Sequence, residues 1–328
     1  MWSFIEPINL IRYLCVWRVN RALVRLPSYL PTELSQVLGT IIADRLPTRQ
    51  ARPWLKALAQ EAPHHPAWPV ESVLFAYPGK QFYGPGEPIF WELRLLGSQA
   101  DHAFFLEVIL PAMEAAGRTT DPRWYESNTL WGRFDIEAIY VARGAAWEPL
   151  VSAGRLDTRY RAEPMQWAEG LTFAPAPGDD RSFRSLTWLT PVDLRPLPAL
   201  SGSLVVPPEE IKAGPDAAEI PIPTLQLLLE ALLARIAQLT PGKYTTPGDV
   251  WNMLPPDDQA ALWDAVTQAD KIRVRQTQPQ AAPKDWPQGW LGEQSFAAMP
   301  PSLLPYLELA SILHLGRRTH AGCGAFVM

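Results

Sequence analysis

Residues 11–142 alternate between two hydrophobic periods in an order that restricts the folds open to this chain. Apolar residues with helical spacing occur at 32–46, where Leu34, Val37, Leu38 and Ile41 share one face, and again at 100–116. Runs typical of strands occur at residues 11–25, 71–77, 88–96 and 132–142. The predicted order of elements is therefore β-α-β-β-α-β, with one hairpin in the middle.

This order predicts a ferredoxin-like module, and the second half of the chain provides the elements of another. They are a strand from about 183 to Pro191, helices at 223–239, 256–268 and 302–314, and strands at 271–276, 289–296 and 323–327. The fold class is thus predicted as α+β, with tandem ferredoxin-like (RRM-like) domains that carry insertions and a C-terminal glycine-rich loop. We place the domains at residues 1–182 and 183–328.

The run from Leu313 to Val327 has the composition of an anion-binding loop. It contains Gly316, Gly322, Gly324, Arg317, Arg318, His314 and His320. Glycine lacks a Cβ atom and can take positive φ, while arginine and histidine donate hydrogen bonds to anions. A tight turn before a strand would need glycines for its geometry alone. The run therefore predicts either such a turn or a site for a phosphate-bearing partner.

Composition excludes several classes of protein. With 47% apolar and 19% charged residues, the chain can bury a full core. Its two cysteines, Cys15 and Cys323, are too few for a disulfide framework and lack the spacing of metal ligands. Arginines interrupt the apolar N-terminus at positions 12, 18, 21 and 25, which argues against a signal peptide or a membrane span. We therefore expect a soluble cytoplasmic protein without a membrane partner.

Charge is distributed unevenly along the chain. Residues 1–56 hold eight basic and three acidic residues, and residues 311–328 hold two basic residues and no acidic one. The residues between them carry a net charge of −12. If both ends of the chain face the same way, they form a basic groove for a polynucleotide on an acidic body. Alternatively, the N-terminal arginines are scattered charges that only aid solubility.

The terminal run resembles a loop of the CRISPR-associated endoribonucleases that cut precursor CRISPR RNA, which are members of the RAMP superfamily. Their pattern reads approximately L-H-x-G-K-G-T-T-F-G-x-G. The matching residues are Leu313, His314, Gly316, Thr319, Gly322 and Gly324, and Arg317 stands where lysine is usual. Arg318 replaces a glycine, His320 a threonine and Ala321 an aromatic residue. This loop is therefore more basic than the family pattern.

Four further segments are similar to family features and follow the family order. They are the strand in Pro85–Gly97, the threonine-proline strand Leu186–Arg195, the arginine-bearing helix Leu229–Leu239 and the G-L-x-G-E-like strand Gly289–Glu293. The resemblance covers approximately residues 70–328. It implies tandem ferredoxin-like domains, in agreement with the order of the predicted elements.

The resemblance implies that the protein binds CRISPR repeat RNA and cuts precursor CRISPR RNA without a metal or another cofactor. In that reaction the RNA 2′-hydroxyl attacks the adjacent phosphate, which leaves a 2′,3′-cyclic phosphate. Many family members have a catalytic histidine in or near the first helix, but residues 1–63 contain none. The alternative is a non-catalytic RAMP subunit that binds guide RNA within a CRISPR effector complex, where other effector subunits would be its partners.

Four residues are candidates for catalysis. His320 and His314 belong to the terminal loop, and histidine can serve as acid or base near neutral pH. His314 could equally be a helix cap. Tyr29 lies just before the first predicted helix and Arg45 near its end, and either could orient the hydroxyl or hold the phosphate. Alternatively, Tyr29 only packs as an aromatic side chain. The candidates for RNA binding are Gly316, Arg317, Arg318, Thr319, Gly322 and Gly324.

The other three histidines are predicted to lie outside the site. His64 and His65 belong to the rigid segment Pro63–Pro66 and have no third ligand nearby in the sequence. His102 begins a predicted helix and is expected to be exposed. The sequence therefore predicts no metal site.

Overall fold

The structure is a computed structural model that describes residues 3–59, 67–119, 129–171, 185–195, 220–269, 277–296 and 303–328. The chain divides into two compact units. The first unit contains Asn9–Leu171 together with His320–Gly322. The second contains Met1–Ile8, Thr172–Thr319 and Cys323–Met328. The predicted domain boundary at residues 182 and 183 lies outside the described residues and stays a prediction.

The first unit is built around a six-stranded antiparallel sheet. Its elements are β1 (Leu10–Val19), β2 (Val24–Arg25), α1 (Leu30–Arg45), α2 (Thr48–Ala59), β3 (Ser72–Ala76), β4 (Phe82–Tyr83), β5 (Pro88–Leu96), α3 (His102–Phe104), α4 (Leu110–Arg118), β6 (Phe134–Arg143), β7 (Ala146–Ser152) and β8 (Arg155–Leu156). A π-helical turn, Phe105–Ile109, joins α3 to α4. The main sheet has the order β3-β5-β1-β6-β7-β8, and β2 pairs with β4 separately.

Four strands of this sheet form the ferredoxin-like core. Strand β1 lies between β5 and β6, and β3 pairs with the other edge of β5. Because helices connect β1 to β3 and β5 to β6, the chain follows the predicted β-α-β-β-α-β order. Strands β7 and β8 extend the sheet beyond β6 and were not predicted.

Alternation along β5 separates the two faces of the sheet. Ile89, Trp91, Leu93 and Leu95 are buried in the hydrophobic core that also contains the inner face of α1. On β1, Trp17 stacks on Phe134 with ring centroids 3.9 Å apart. Each such fully buried apolar side chain contributes about 1.5–3 kcal/mol to stability. The intervening residues of β5, including Glu92 and Arg94, therefore lie on the opposite face.

The second unit repeats the arrangement with a smaller sheet. Its elements are β9 (Ser185–Val192), α5 (Leu225–Leu239), α6 (Pro247–Trp251), α7 (Pro256–Ala269), β10 (Gln280–Ala281), β11 (Trp290–Ser295), α8 (Leu304–Leu313) and β12 (Phe326–Val327). The strand order is β10-β11-β9-β12, with antiparallel neighbours throughout. This order corresponds to β3-β5-β1-β6 in the first unit. The α+β class with tandem ferredoxin-like modules is therefore confirmed.

Several predicted bounds differ from the structure. The strand predicted at 11–25 ends at Val19, and residues 24 and 25 form the separate strand β2. Helices α2 and α6 were not predicted. The strand predicted at 271–276 falls outside the described residues, whereas β10 is the observed partner of β11.

Candidate functional site

A buried arginine holds the end of the helix that leads into the terminal loop. Helix α8 ends at Leu313, whose carbonyl oxygen accepts a hydrogen bond from Nε of Arg235 at 3.3 Å. Nη1 of Arg235 donates to Oε1 of Gln238 at 2.9 Å. A cation at this position is favourable because the C-terminal end of a helix is negative. Arg235 therefore stabilises the point from which the loop departs.

The loop then returns along strand β9. The backbone N–H of Arg317 donates to the carbonyl of Asp193 at 2.9 Å, and that of Gly324 donates to Pro191 at 2.9 Å. Across the base of the loop, the N–H of Leu315 donates to the carbonyl of Gly324 at 3.3 Å. These bonds fix both ends of the loop against the sheet.

Two loop positions need glycine because other backbone atoms approach them closely. Gly316 has φ of 85°, and a Cβ atom there would collide with the carbonyl oxygen of Asp193. Gly322 has φ of 73°, and its Cβ would collide with the carbonyl oxygen of Leu74. The turn geometry thus accounts for these glycines. A contact of Gly316, Gly322 or Gly324 with RNA stays a prediction.

The two loop arginines differ in exposure and conformation. Arg317 is half-buried, whereas Arg318 is exposed and has φ of 59°. The left-handed region costs a residue with a Cβ atom about 1–2 kcal/mol. Within the described part of the chain, the Arg318 side chain forms no ion pair. The family pattern has glycine at this position. The arginine found here therefore destabilises the local backbone conformation relative to glycine. The next residue, Thr319, is buried.

Replacing Arg318 by glycine should show whether the arginine contributes to RNA binding, because the substitution removes both the backbone strain and the charge. Glycine adopts a φ of 59° without strain, but it loses more backbone entropy on folding, so we expect the unfolding midpoint to change little. RNA affinity should fall several-fold because a phosphate-binding cation is lost. Ala153→Gly is the matched control, since Ala153 also has positive φ, 50°, and carries no charge. Binding by Arg318→Gly equal to that of Ala153→Gly would contradict the prediction.

A tyrosine holds the tip of the loop, and both belong to the first unit. The hydroxyl of Tyr29 donates to the carbonyl oxygen of Ala321 at 2.7 Å, and Tyr29 is buried. Its neighbour His320 belongs to the same unit and is half-buried in the 3-10 turn Thr319–Ala321. The structure thus places the hydroxyl of Tyr29 against the residue that follows His320. Their catalytic roles stay predictions.

Arg45 lies far from Tyr29. Tyr29 is the N-cap of α1 and Arg45 is the last residue of this 16-residue helix. At 1.5 Å per residue, the two Cα atoms are about 24 Å apart. Arg45 is exposed. Tyr29 and Arg45 therefore lie at opposite ends of α1, and the role of Arg45 stays a prediction.

The histidines of the described residues outside the loop tip are buried. His314 is 1% exposed, occupies the C-cap of α8 with φ of 58°, and donates its backbone N–H to Ala310. The prediction that His102 is exposed is wrong, because only 7% of it is accessible. Its Nδ1 lies 3.0 Å from the hydroxyl of Tyr13, and burial lowers its pKa. His64 and His65 lie outside the described residues.

An ionic network on the first sheet was not predicted. The carboxylate of Glu92 lies 3.2 Å from Arg12 and 3.0 Å from Arg94, and it accepts a hydrogen bond from the Tyr77 hydroxyl. Burial raises the pKa of Glu92, but Arg94, Arg12 and Tyr77 outweigh it and hold this pKa at about 2. Burial lowers the pKa of Arg94 to about 10. The signal in the sequence is the i, i+2 spacing of Glu92 and Arg94, which places both on one face of β5.

The residues that the structure describes contain no group of three or more histidine, cysteine or acidic side chains arranged to hold a metal ion. None of their helices is both long and apolar enough to cross a membrane.

Two ferredoxin-like modules, with a glycine-rich loop after the last helix, are the arrangement that the resemblance of the terminal run implies. Residues 186–326, somewhat less than half of the chain, match the family model of the CRISPR-associated endoribonuclease Cas6. The matched region contains the terminal loop. The resemblance predicted from that loop is therefore confirmed, and this part of the chain is similar to the Cas6 endoribonuclease family. No curated protein matches the chain.

Solved structures extend the likeness over nearly the whole chain. A Cas6 product complex is 18% identical, with a TM-score of 0.46, and the alignment covers 97% of this chain and 99% of that one. Thermus thermophilus Cas6 is 16% identical with a TM-score of 0.42, and 98% of each chain is covered. A chain of a partial Cas6-RT-Cas1–Cas2 complex is 11% identical with a TM-score of 0.51, over 98% of this chain and 46% of that one. The last comparison supports the fold.

Proposed function

We propose that the protein binds CRISPR repeat RNA and cleaves precursor CRISPR RNA without a metal ion. The observation that carries this proposal is the terminal loop, which combines a Cas6 match with two arginines and His320 beside Tyr29. The loop is stabilised from both ends by backbone bonds to β9. A loop fixed in this way can hold a phosphate in one position, which is the main requirement for this reaction.

The proposed reaction is an internal transfer at phosphorus. The 2′-hydroxyl loses its proton to a base and attacks the adjacent phosphorus, and the bond from phosphorus to the 5′-oxygen breaks. An acid protonates the departing oxygen, so the products are a 2′,3′-cyclic phosphate and a 5′-hydroxyl. Arg317 and Arg318 would stabilise the negative charge that builds up on the phosphate oxygens. Atoms and protons balance without a cofactor.

His320 is the group that we assign to proton transfer. Imidazole can accept or donate a proton near neutral pH, and among the described histidines only His320 is more than slightly exposed. Tyr29 is assigned a positioning role, because its hydroxyl holds the carbonyl of Ala321 next to His320. His314 is assigned to the helix end, where it follows the last residue of α8.

Purified protein incubated with its repeat RNA in EDTA should release a product that ends in a 2′,3′-cyclic phosphate. The double variant Arg317→Ala with Arg318→Ala should bind the RNA more weakly and show a flatter dependence of affinity on salt, because two phosphate contacts are lost. The control variant Lys243→Ala with Lys284→Ala removes the same charge elsewhere in the second unit. Equal affinities of the two double variants would contradict the role of the loop.

A guide-RNA-binding subunit is the second candidate function. It is favoured by the absence of histidine from residues 1–63, where many family members place a catalytic histidine. A subunit of this kind would bind the repeat RNA with the same salt dependence but would leave the RNA uncut, both in EDTA and in magnesium. Tight binding without cleavage would therefore select the subunit, and a cyclic phosphate product would exclude it.

A further inference from the structure

Three basic side chains form a stripe on the outer face of α2. Arg49, Arg52 and Lys56 are exposed and are spaced by three and four residues, so they share one side of the helix. Ala51 and Trp54 are the buried residues of the same helix. The stripe extends about 10 Å along the helix axis.

The cations of the stripe have no charged partner among the residues that the structure describes. Among the described residues, the side chains of the stripe form no hydrogen bond and no ion pair. By contrast, many arginines elsewhere in the chain contact carboxylates, as do Arg12, Arg18, Arg94, Arg143 and Arg195. The stripe therefore presents three unneutralised charges to the surroundings.

The helix also places a cation at its unfavourable end. Arg49 is the second residue of α2, and the first turn contains no acidic residue. The positive end of the helix dipole repels a cation there. Three other helices follow the opposite rule, with Glu33 in the first turn of α1, Asp249 in that of α6, and Asp257 and Asp258 in that of α7. An anion at this end of α2 would relieve the repulsion.

We propose that the stripe binds the phosphate backbone of the repeat RNA, in addition to the contacts of the terminal loop. This inference rests on the proposed RNA function. Neighbouring phosphates supply the repeated negative charge that a 10 Å row of cations matches. Because these cations are assigned to phosphates and not to base edges, the contact is independent of base sequence.

The test compares two triple variants of the full-length protein in repeat-RNA binding at several salt concentrations. Arg49→Ala with Arg52→Ala and Lys56→Ala should lower affinity about 10- to 100-fold at 0.1 M salt and reduce the salt slope by about 2–3. The control, Arg155→Ala with Arg159→Ala and Lys284→Ala, removes equal charge from exposed positions. It should change affinity less than about threefold, because exposed charges away from the RNA act only through screened long-range forces.

The other possible results of this test distinguish a failure of the stripe proposal from a failure of the proposed RNA function. If the stripe variant binds like the control while the Arg317 and Arg318 variant is impaired, the stripe proposal fails and the proposed function stands. If the wild-type protein binds no repeat RNA, both fail. Loss of binding to anionic phospholipid vesicles with unchanged RNA binding would assign the stripe to a membrane surface and overturn its assignment to RNA.

Arg49→Glu provides a second test, because it should leave thermal stability the same or higher while it lowers RNA affinity. A carboxylate in the first turn suits the helix dipole, so the thermal unfolding midpoint should stay the same or rise. RNA affinity should nevertheless fall at least about tenfold, because a phosphate contact becomes a repulsion. A lower midpoint, or unchanged affinity, would overturn the proposal.

Discussion

Replacing His320 by alanine is expected to slow RNA cleavage about 10²- to 10⁴-fold while the Kd for repeat RNA changes less than about threefold. Loss of a positioned acid or base has an effect of this size on the chemical step. Binding should be spared because the phosphate contacts are assigned to Arg317, Arg318 and the stripe on α2. Single-turnover cleavage with the variant and wild type at saturating protein measures the chemical step separately from binding.

Tyr29→Phe is the companion variant for this prediction. It keeps the buried ring but removes the hydroxyl that donates to Ala321 at 2.7 Å. We expect a smaller loss of rate than in His320→Ala, because the imidazole remains and is only less well positioned. Free imidazole should partly restore cleavage by His320→Ala and should not help Tyr29→Phe. A His320→Ala enzyme that cleaves at the wild-type rate would remove His320 from the reaction.

The ferredoxin-like core was predictable because its elements have strong local patterns. The strand predicted at 88–96 has the observed bounds, and the alternation of Ile89, Trp91, Leu93 and Leu95 with other residues explains why. Helix α8 was predicted at 302–314 and observed at Leu304–Leu313. In both segments burial and local preference favour the same structure.

The elements that were missed lack a strong apolar pattern. Helix α2 has only Ala51 and Trp54 fully buried and carries Pro53 inside, so its composition is typical of a connector. Strand β7 contains Pro149 and only two buried residues, because β8 alone pairs with its outer side. Such elements depend on contacts with the rest of the fold, which one sequence does not specify.

The candidate site was predictable in composition but not in geometry. The glycine spacing indicated a turn, and the close backbone approaches at Gly316 and Gly322 give that turn its physical reason. The bond from Tyr29 to Ala321 joins residues 292 positions apart, so no local pattern could predict it. His102 was misjudged for the same reason, since its burial depends on the distant Tyr13.

The largest stability effect is expected at Glu92. In Glu92→Gln the buried Arg94 loses the carboxylate that neutralises it and that raises its pKa against the effect of burial. Removing one partner of a buried ion pair costs about 3–5 kcal/mol. Urea unfolding at pH 7 should show this loss. Glu137→Gln is the matched control, because Glu137 pairs with Arg18 in a more exposed part of the same sheet, and its unfolding midpoint should hardly change.

Acid gives an independent measure of the same network. The pKa of Glu92 is about 2 in the folded protein, whereas a glutamate without partners has a pKa of 4.5. As pH falls, the carboxylate therefore takes up its proton at a higher pH in the unfolded chain than in the folded protein. The stabilisation of about 3 kcal/mol is therefore complete above pH 4.5 and disappears as pH falls through about 2. Glu92→Gln should lack this part of the acid dependence. If the variant is too unstable to purify, Glu92→Gln with Arg94→Met should recover part of the loss, because the more deeply buried of the two unpaired arginine charges is then removed. Wild-type and Glu92→Gln curves that stay parallel from pH 5 to pH 2 would show that Arg12 and Arg94 do not stabilise the carboxylate.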